Sequence, residues 1–308
     1  MTTLLDMIDE VSMNLSGYTL QQDRATHITA NVAATASTIA APITLSLAST
    51  DSVGKGIVEI DEELFYVDNY DRVGNTATIA PYGRAYLGTT LAAHTAGVKV
   101  TIAPTFPRFT IKRAINDTIS AIGSSIFAAQ TTTITSNSAV TAFRLPTTGT
   151  TLNIRNILAI AYQALGSSKE WIPIRSYRFD SNANSTAFTS GQTVSIYDYI
   201  PSGRTVQVVY STDPVPFTTN ADVFTTQTGL PESCRDLIIL GATYRLLSNL
   251  DPARAAMVSP QADETDSKRP YGSSQSITKQ VYALFNQRLN EEVKSQQEKY
   301  PIRVHYSL

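Results

Sequence analysis

The chain has 308 residues, room for about two domains at about 100–200 residues each. Charged residues make up 16%, below the roughly 25% usual in soluble domains, and 24 Lys and Arg against 26 Asp and Glu leave a net charge of −2. That balance excludes a sequence-wide basic field for tight nucleic-acid binding, and the single cysteine, Cys234, excludes an intrachain disulfide and a cysteine-based zinc site.

Residues 1–30 read as an N-terminal helix and lead-in. Leu4, Ile8, Val11 and Leu15 share one helical face, and Gly17 is placed to stop the helix. The acids within this apolar spacing and the lack of a basic leader argue against a secretory signal, and no apolar run approaches 18 residues. The expectation is a soluble protein made in a cytoplasm.

Residues 31–105 change period. "ITLSLAS", "GIVEIDEELFYVDNY", "NTATIAP" and "GVKVTIAP" are short alternating or β-branched runs punctuated by Gly, Asn, Asp and Pro, which predicts a small β module. "DRVGN" reads as the turn between two of its strands. Residues 106–130 predict a central helix, because Ile111, Ile115, Ile119, Ile122 and Ile126 step by three or four, with Thr110 as N-cap.

Residues 131–218 return to strand-like runs separated by Gly, Pro, Ser and Asn, which predicts a sandwich or curled sheet closed by a hairpin over "TSGQTVSIYDYIPSGRTVQVVYS". Trp171, Tyr177, Phe179, Tyr197 and Tyr210 are expected in core and sheet-face packing. Residues 219–308 predict a helical region and tail. Pro231 opens a helix whose apolar face is Leu237, Ile238, Leu240, Tyr244 and Leu247; Asp251 and Pro252 begin a short second one. A polar linker over 259–276 leads to a third helix carrying Ile277, Val281, Leu284, Phe285, Leu289 and Val293. Pro301 stops that helix before an alternating tail. The fold class is therefore α+β, with N-terminal, central and C-terminal helices and two inserted, mainly antiparallel β modules.

Candidate chemistry is sparse. In "PYGRAYLGTTLAAHTAG" Gly83 and Gly88 stand five apart, but Thr89 and Thr90 follow where a phosphate loop needs Lys and then Ser or Thr. The dinucleotide fingerprint fails as well. His27, His94 and His305 form no metal-ligand spacing, and Cys234, in "CRDLIILGA", reads as a buried structural thiol. Asp61, Glu62 and Glu63 are the densest acidic cluster, and adjacent strand residues face opposite ways, so the run reads as a solvated turn. No catalytic, cofactor-binding or metal-ligating set emerges. "PRFTIKR" (107–113) and "SKRP" (267–270) are small basic clusters of the kind common at helix starts and loops.

The order of segments is more informative than any one residue. "EIDEELFYVDNY", then "YGRAYLGTTLAAHTAGVKVTI", then a helix opening "FTIKRAIND", resembles tailed-bacteriophage neck proteins whose β module carries a G-R-x-x-x-G-T-x-x-x-x-H-x-x-G-x-x-V pattern. It falls here on Gly83, Arg84, Gly88, Thr89, His94, Gly97 and Val100. "LPESCRDLIILGATYRLLSNLDPARA" and "KRPYGSSQSITKQVYALFNQRLNEEVKSQQEKYPIRVHY" are similar to the helical half of head-to-tail adaptors. The motif is then expected to be a structural turn, with Arg84 and His94 as local hydrogen-bonding groups.

The resemblance implies a non-enzymatic virion protein at the neck, assembled in the host cytoplasm, with a helical adaptor core and no cofactor. It implies a homo-oligomeric ring, dodecameric, binding the portal protein above and the tail or next neck protein below, lining a DNA channel with transient DNA contact, and engaging no membrane. Tyr300, Ile302, Val304 and Tyr306 are the candidate docking tail, suited to adding a strand to a neighbour. Alternatives are a tail-tube, baseplate or fibre-attachment protein, or a glycan-binding tail protein using Trp171 and the tyrosines as a platform.

Overall fold

A computed structural model describes residues 2–19, 23–137, 139–145, 154–165, 169–184, 186–248 and 273–301. Helices and antiparallel sheets alternate along the chain, an α+β fold. The chain divides into two compact units, one made of residues 5–115 and 239–282, the other of 1–4, 116–238 and 283–308.

The first unit holds a six-stranded sheet built from β1 (Arg24–His27), β2 (Thr44–Ser46), β3 (Gly56–Ile60), β4 (Glu63–Asp71), β5 (Thr76–Ile79) and β6 (Lys99–Ile102). Its order is β1-β6-β3-β4-β5-β2, antiparallel throughout. The two outer strands meet beyond their ends: Ile28 bridges Leu47, the Thr29 N–H donates to Ser46 O and the Ala48 N–H to His27 O. The sheet thus curls into a barrel and protects its edges. Ile28, Leu45, Val58, Ile60, Phe65, Val67, Ala77, Ile79 and Val100 fill the interior, as the period-2 pattern requires. β1 was not expected as a strand; "RATH" has no apolar alternation, and its pairing with β6 is what orders it. "DRVGN" does connect β4 to β5.

α1 (Leu4–Thr19) buries Leu4, Met7, Ile8, Val11 and Leu15, the expected stripe plus Met7. It runs two residues past Gly17 rather than stopping there. α2 (Arg108–Ile122) begins earlier than Thr110 would place it, after Pro107. The Arg108 N–H donates to the Glu59 carboxylate of β3 (2.5 Å), so a residue from a neighbouring strand, and not Thr110, satisfies the helix start. All five isoleucines of the stripe are buried, Ile126 just beyond the helix end.

The second unit contains a sandwich. β7 (Ala128–Thr135), β9 (Ile154–Gln163), β10 (Trp171–Pro173) and β13 (Thr205–Thr212) form one sheet in the order β10-β9-β13-β7. β8 (Ala142–Arg144), β11 (Tyr177–Asp180) and β12 (Thr193–Ile196) form the other, ordered β11-β12-β8. Ile134, Ile160, Val206, Val208 and Tyr210 from the first sheet share a core with Val194 and Ile196 from the second. The expected hairpin over 189–211 is corrected here: β12 and β13 lie in different sheets. Pro201 and a left-handed Gly203 (φ 79°) let the chain leave one sheet for the other.

α3 (Phe224–Thr228), a 3-10 turn (Glu232–Cys234) after Pro231, and α4 (Arg235–Ser248) follow. α4 buries Leu237, Ile238, Ile239, Ala242, Leu246 and Leu247, while Leu240 and Tyr244 are only half-buried. α5 (Ser273–Lys299) buries Val281 and Phe285 and half-buries Ile277, Leu289 and Val293; Leu284 is exposed. Two amide side chains act as clamps within the second unit. Asn116 exchanges two hydrogen bonds with the Phe217 backbone, and Gln296 does the same with Phe127. The helix expected after Asp251 and the 259–272 part of the linker lie outside the described residues.

Candidate functional site

The motif read from the sequence is the centre of a buried ionic clasp at one end of the barrel. β3 and β4 turn through Asp61 (φ 55°) and Glu62, so that Ile60 pairs with Glu63. Glu63 therefore shares the inward face with Phe65 and Val67. Its Oε1 accepts from Arg84 Nε (2.8 Å) and the Ala85 N–H (3.0 Å). Its Oε2 accepts from Arg84 Nη2 (2.7 Å), the Ala92 N–H (2.9 Å) and His94 Nε2 (3.0 Å). The remaining Arg84 donors reach the carbonyls of Ala33, Thr35 and Ala92, and the guanidinium lies 4.7 Å over the Phe65 ring.

One arginine and one carboxylate thus tie together three loops and a strand start, with both side chains about 1% exposed. Bidentate pairing with backbone donors and acceptors filling the remaining valences is what a buried ion pair needs to be tolerated. Burial alone would raise the Glu63 carboxyl, but Arg84, His94 and the two amides outweigh it and hold it at about 2.

His94 Nδ1 lies 2.7 Å from Asp61 Oδ2 while Nε2 faces Glu63. Two carboxylates, one on each nitrogen, require both nitrogens to donate, so the ring is an imidazolium. Burial opposes that charge; Glu63 and Asp61 overcome it and raise the His94 pKa. Main-chain bonds between Val32 and His94 fasten the same segment. The Thr89 hydroxyl accepts the Leu64 N–H and donates to Tyr86 O.

The motif glycines have separate reasons. A Cβ on Gly83 would stand 2.8 Å from the carbonyl oxygens of Ala80 and Tyr66, so only glycine lets the strand and loop approach. Gly88 and Gly97 hold positive φ, 81° and 90°.

Sequence reasoning put Gly83, Arg84, Gly88, Thr89, His94 and Gly97 in one turn; the structure joins Arg84 and His94 through Glu63, sets the Thr89 hydroxyl on Leu64 and Tyr86, and bonds the Gly97 N–H to Ile28 O. It missed Glu63 and Asp61, which had been read as a solvated turn, and it took the bonds of Arg84 and His94 as local, whereas Arg84 reaches back to Ala33 and Thr35. Only Asp61 of the acidic pair is exposed. Every valence of the Glu63 carboxylate is occupied, so the arrangement's chemistry is to hold backbone, with no free acid, base or nucleophile inside it. Among the described residues, no group of three or more His, Cys, Asp and Glu is placed to hold a metal ion.

The profile of the SU10 adaptor protein family matches residues 89–304. The chain belongs to this family. The membership agrees with the resemblance to head-to-tail adaptors and gives the protein a structural role in a phage particle. No curated protein matches the chain. The match starts at Thr89, so Gly83, Arg84 and Gly88 precede it, while His94 and Gly97 lie within it.

A second polar cluster in this SU10 adaptor protein fixes the start of α4 to α5. The buried Glu292 accepts from Ser233 Oγ (3.1 Å) and Arg288 Nη2 (3.1 Å), with Cys234 Sγ at 3.6 Å. Burial and the Glu292 charge push the Cys234 thiol up to about 12, so it stays protonated and packs as a small apolar group. In the candidate docking tail, the Tyr300 ring lies 5.9 Å from Phe127, whereas Ile302, Val304 and Tyr306 are outside the described residues, as is His305. His27 is exposed on β1.

The basic cluster at 107–113 is partly neutralised, with Arg108 paired to Asp9 and Lys112 to Glu62 (3.1 Å); 267–270 is outside the described residues. Tyr210 is core and Tyr177 and Phe179 pack against it, but Trp171 and Tyr197 are exposed, against expectation. β10 is an outermost strand in its sheet's order, and Tyr197 follows the end of β12. Asp198, beside Tyr197, accepts the N–H groups of Arg175 and Ser176 and is committed to the turn. No helix among the described residues is long and apolar enough to cross a membrane.

Proposed function

We propose that the protein is a neck adaptor, a homo-oligomeric ring that joins the portal vertex of a phage capsid to the tail and surrounds the DNA path. The family match over 89–304, which includes the sandwich and the C-terminal helices, is the observation that carries this reading. In it the helices form the ring's core and the two β modules project from it, dividing the chain at 1–30, 31–105, 106–130, 131–218 and 219–308. The motif at 83–97 is a structural turn whose work is done by the clasp. A closed ring needs two different complementary patches on each subunit, and residues 300–306, together with the 259–276 linker, are assigned to one of them.

The net charge of −2 fits a channel that lets DNA slide, since dense phosphate contacts would hold it. Transient contact with DNA, a portal protein above and a tail or further neck protein below complete the set of partners, in a virion assembled in the host cytoplasm. Native mass spectrometry of the protein alone and with its cognate portal tests the reading. A closed ring, alone or only with portal, is expected; a monomer or trimer indifferent to portal overturns it. Deleting residues 301–308 is expected to weaken ring formation or portal binding, and unchanged assembly removes the docking role of the tail.

A further inference from the structure

The sandwich has one long, unguarded edge. β7 is outermost in its sheet, pairs in unbroken register with β13 over eight residues, and reads A-A-Q-T-T-T-I-T, without charge, proline or glycine. The other outermost strands of the sandwich are short and carry residues that discourage pairing. β10 has three residues ending in Pro173, β8 has three including Arg144, and β11 has four including Arg178 and Asp180. β7 has none of these devices.

Two flanking contacts fix which of its main-chain groups face outward. Just past its end, the Ser136 N–H donates to Arg204 O (2.7 Å) and the Ser136 carbonyl accepts the Gly203 N–H (2.9 Å), both on the β13 side. Alternate residues of a strand point the same way, so Ala128, Gln130, Thr132 and Ile134 also face β13. Just before its start, Phe127 gives both main-chain groups to Gln296 of α5, its N–H to Oε1 (3.1 Å) and its carbonyl to Nε2 (2.6 Å). Ala129, Thr131 and Thr133 therefore turn their N–H and C=O groups away from β13, and among the described residues these groups meet no partner.

The end of the chain is delivered to this edge. α5 stops at Lys299, and the Tyr300 ring lies 5.9 Å from the Phe127 ring, one residue before β7 begins. Pro301 bars further helix, and seven residues remain, 302–308. At about 3.3 Å per residue they reach about 23 Å, against about 26 Å for β7. Their sequence, I-R-V-H-Y-S-L, is β-prone and alternates, with Ile302, Val304, Tyr306 and Leu308 in one set and Arg303, His305 and Ser307 in the other. β7 divides in the same way: Ala128 and Ile134 are buried, while Thr131, Thr133 and Thr135 are exposed.

We infer that residues 302–308 add to β7 of their own chain as a fifth, parallel strand, taking up the outward main-chain groups of Ala129, Thr131 and Thr133. The apolar set then continues the inner face of the sheet and the polar set joins the threonines. This seat is intramolecular and does not depend on ring assembly; a tail engaged by a neighbouring subunit first has to leave it.

Residue-resolved hydrogen exchange on the full chain and on a chain ending at Pro301 tests this. The Thr131 and Thr133 amides are expected to exchange about tenfold or more slower in the full chain than in the shortened one. Those of Gln130 and Ile134, bonded to β13, are expected to be equally slow in both, which reports that the sandwich is folded. Fast exchange at Thr131 and Thr133 in the full chain, or slow exchange that survives the truncation, overturns the proposal.

A disulfide identifies whose tail is seated. His305→Cys combined with Thr131→Cys or Thr133→Cys is expected to close within one chain under mild oxidation, and Cys234 does not interfere because it is buried. Disulfide-linked dimers, or thiols that stay free at both positions, overturn the proposal. Both results leave the adaptor reading standing, because the mass measurement with portal decides it separately.

Discussion

The two β modules are stabilised in opposite ways. The barrel depends on a saturated ionic clasp at one end, in which Arg84, Glu63 and His94 are buried and the Glu63 carboxylate accepts from the other two. The sandwich rests on two facing layers of aliphatic side chains and Tyr210, and its ion pair of Arg155 with Asp213 is partly exposed. The difference teaches that the barrel answers to charge and pH, whereas the sandwich answers to volume. An ionic clasp specifies one arrangement of three loops; an apolar core specifies only that the sheets stay together.

The largest expected effect comes from breaking the clasp. Glu63→Gln leaves Arg84 and His94 buried without their shared counter-charge and is expected to cost about 3–5 kcal/mol. The loss would appear as a lower melting temperature, with hydrogen exchange rising in barrel amides before those of β9 and β13. The same clasp bounds the barrel from both sides of pH. With Glu63 held at about 2, its contribution is present above about 4.5 and lost as pH falls towards 2. His94 is raised, so its contribution is full below 6.5 and lost as pH rises through the folded value.

Glu59 gives the next effect. It is buried, and although the Arg108 N–H and the Arg108 charge pull the other way, and Asp23 and Glu62 add to the rise, burial pushes its carboxyl up to about 7. A folded value above the ordinary 4.5 means that stability is full below about 4.5 and lost as pH rises through 7. The interval corresponds to about 3 kcal/mol. Glu59→Gln keeps an acceptor for Arg108 and is expected to flatten that fall in a series of melting curves between pH 4.5 and 7.

Gly83→Ala is expected to cost about 1–3 kcal/mol by forcing backbone apart at Ala80 and Tyr66, measured by denaturant titration. The smallest effect marks the other side of the comparison. Ile160→Val in the sandwich should cost about 0.5–1.5 kcal/mol, with the same value at pH 5 and pH 8. A pH-dependent loss there would break the distinction between the modules.

Much of the fold was readable in the residues. Period-2 runs marked β2 to β6, and steps of three and four marked α1 and α2, because burial on one face leaves a periodic trace. β1 left none, since an outer strand of mixed polarity is defined by its partner. The β12–β13 hairpin failed for a related reason: two alternating runs with a turn between them look alike whether they pair with each other or with strands of two sheets.

The clasp was half visible. An isolated arginine and histidine in an otherwise uncharged glycine-rich run needed a partner, and Glu63 stands two residues before Phe65 and four before Val67 on the same strand face. Reading Asp61, Glu62 and Glu63 as one solvated cluster hid that alternation. The carbonyls of Ala33 and Thr35 carry no side-chain signal at all, so their part in the site depends on the barrel closing.

The strand order of the sandwich has a consequence for synthesis. β13 pairs along its length with both β7 and β9, so the middle of the sheet is the last part of it to be made. Thr212 reaches back to Ala128 across 84 residues. At about 5–20 residues per second, β7 waits roughly 4–17 seconds for its neighbour to be polymerised. Through that interval two β-prone segments stand with unpaired edges, and the nascent chain is most open to mispairing with another copy of itself on the same message.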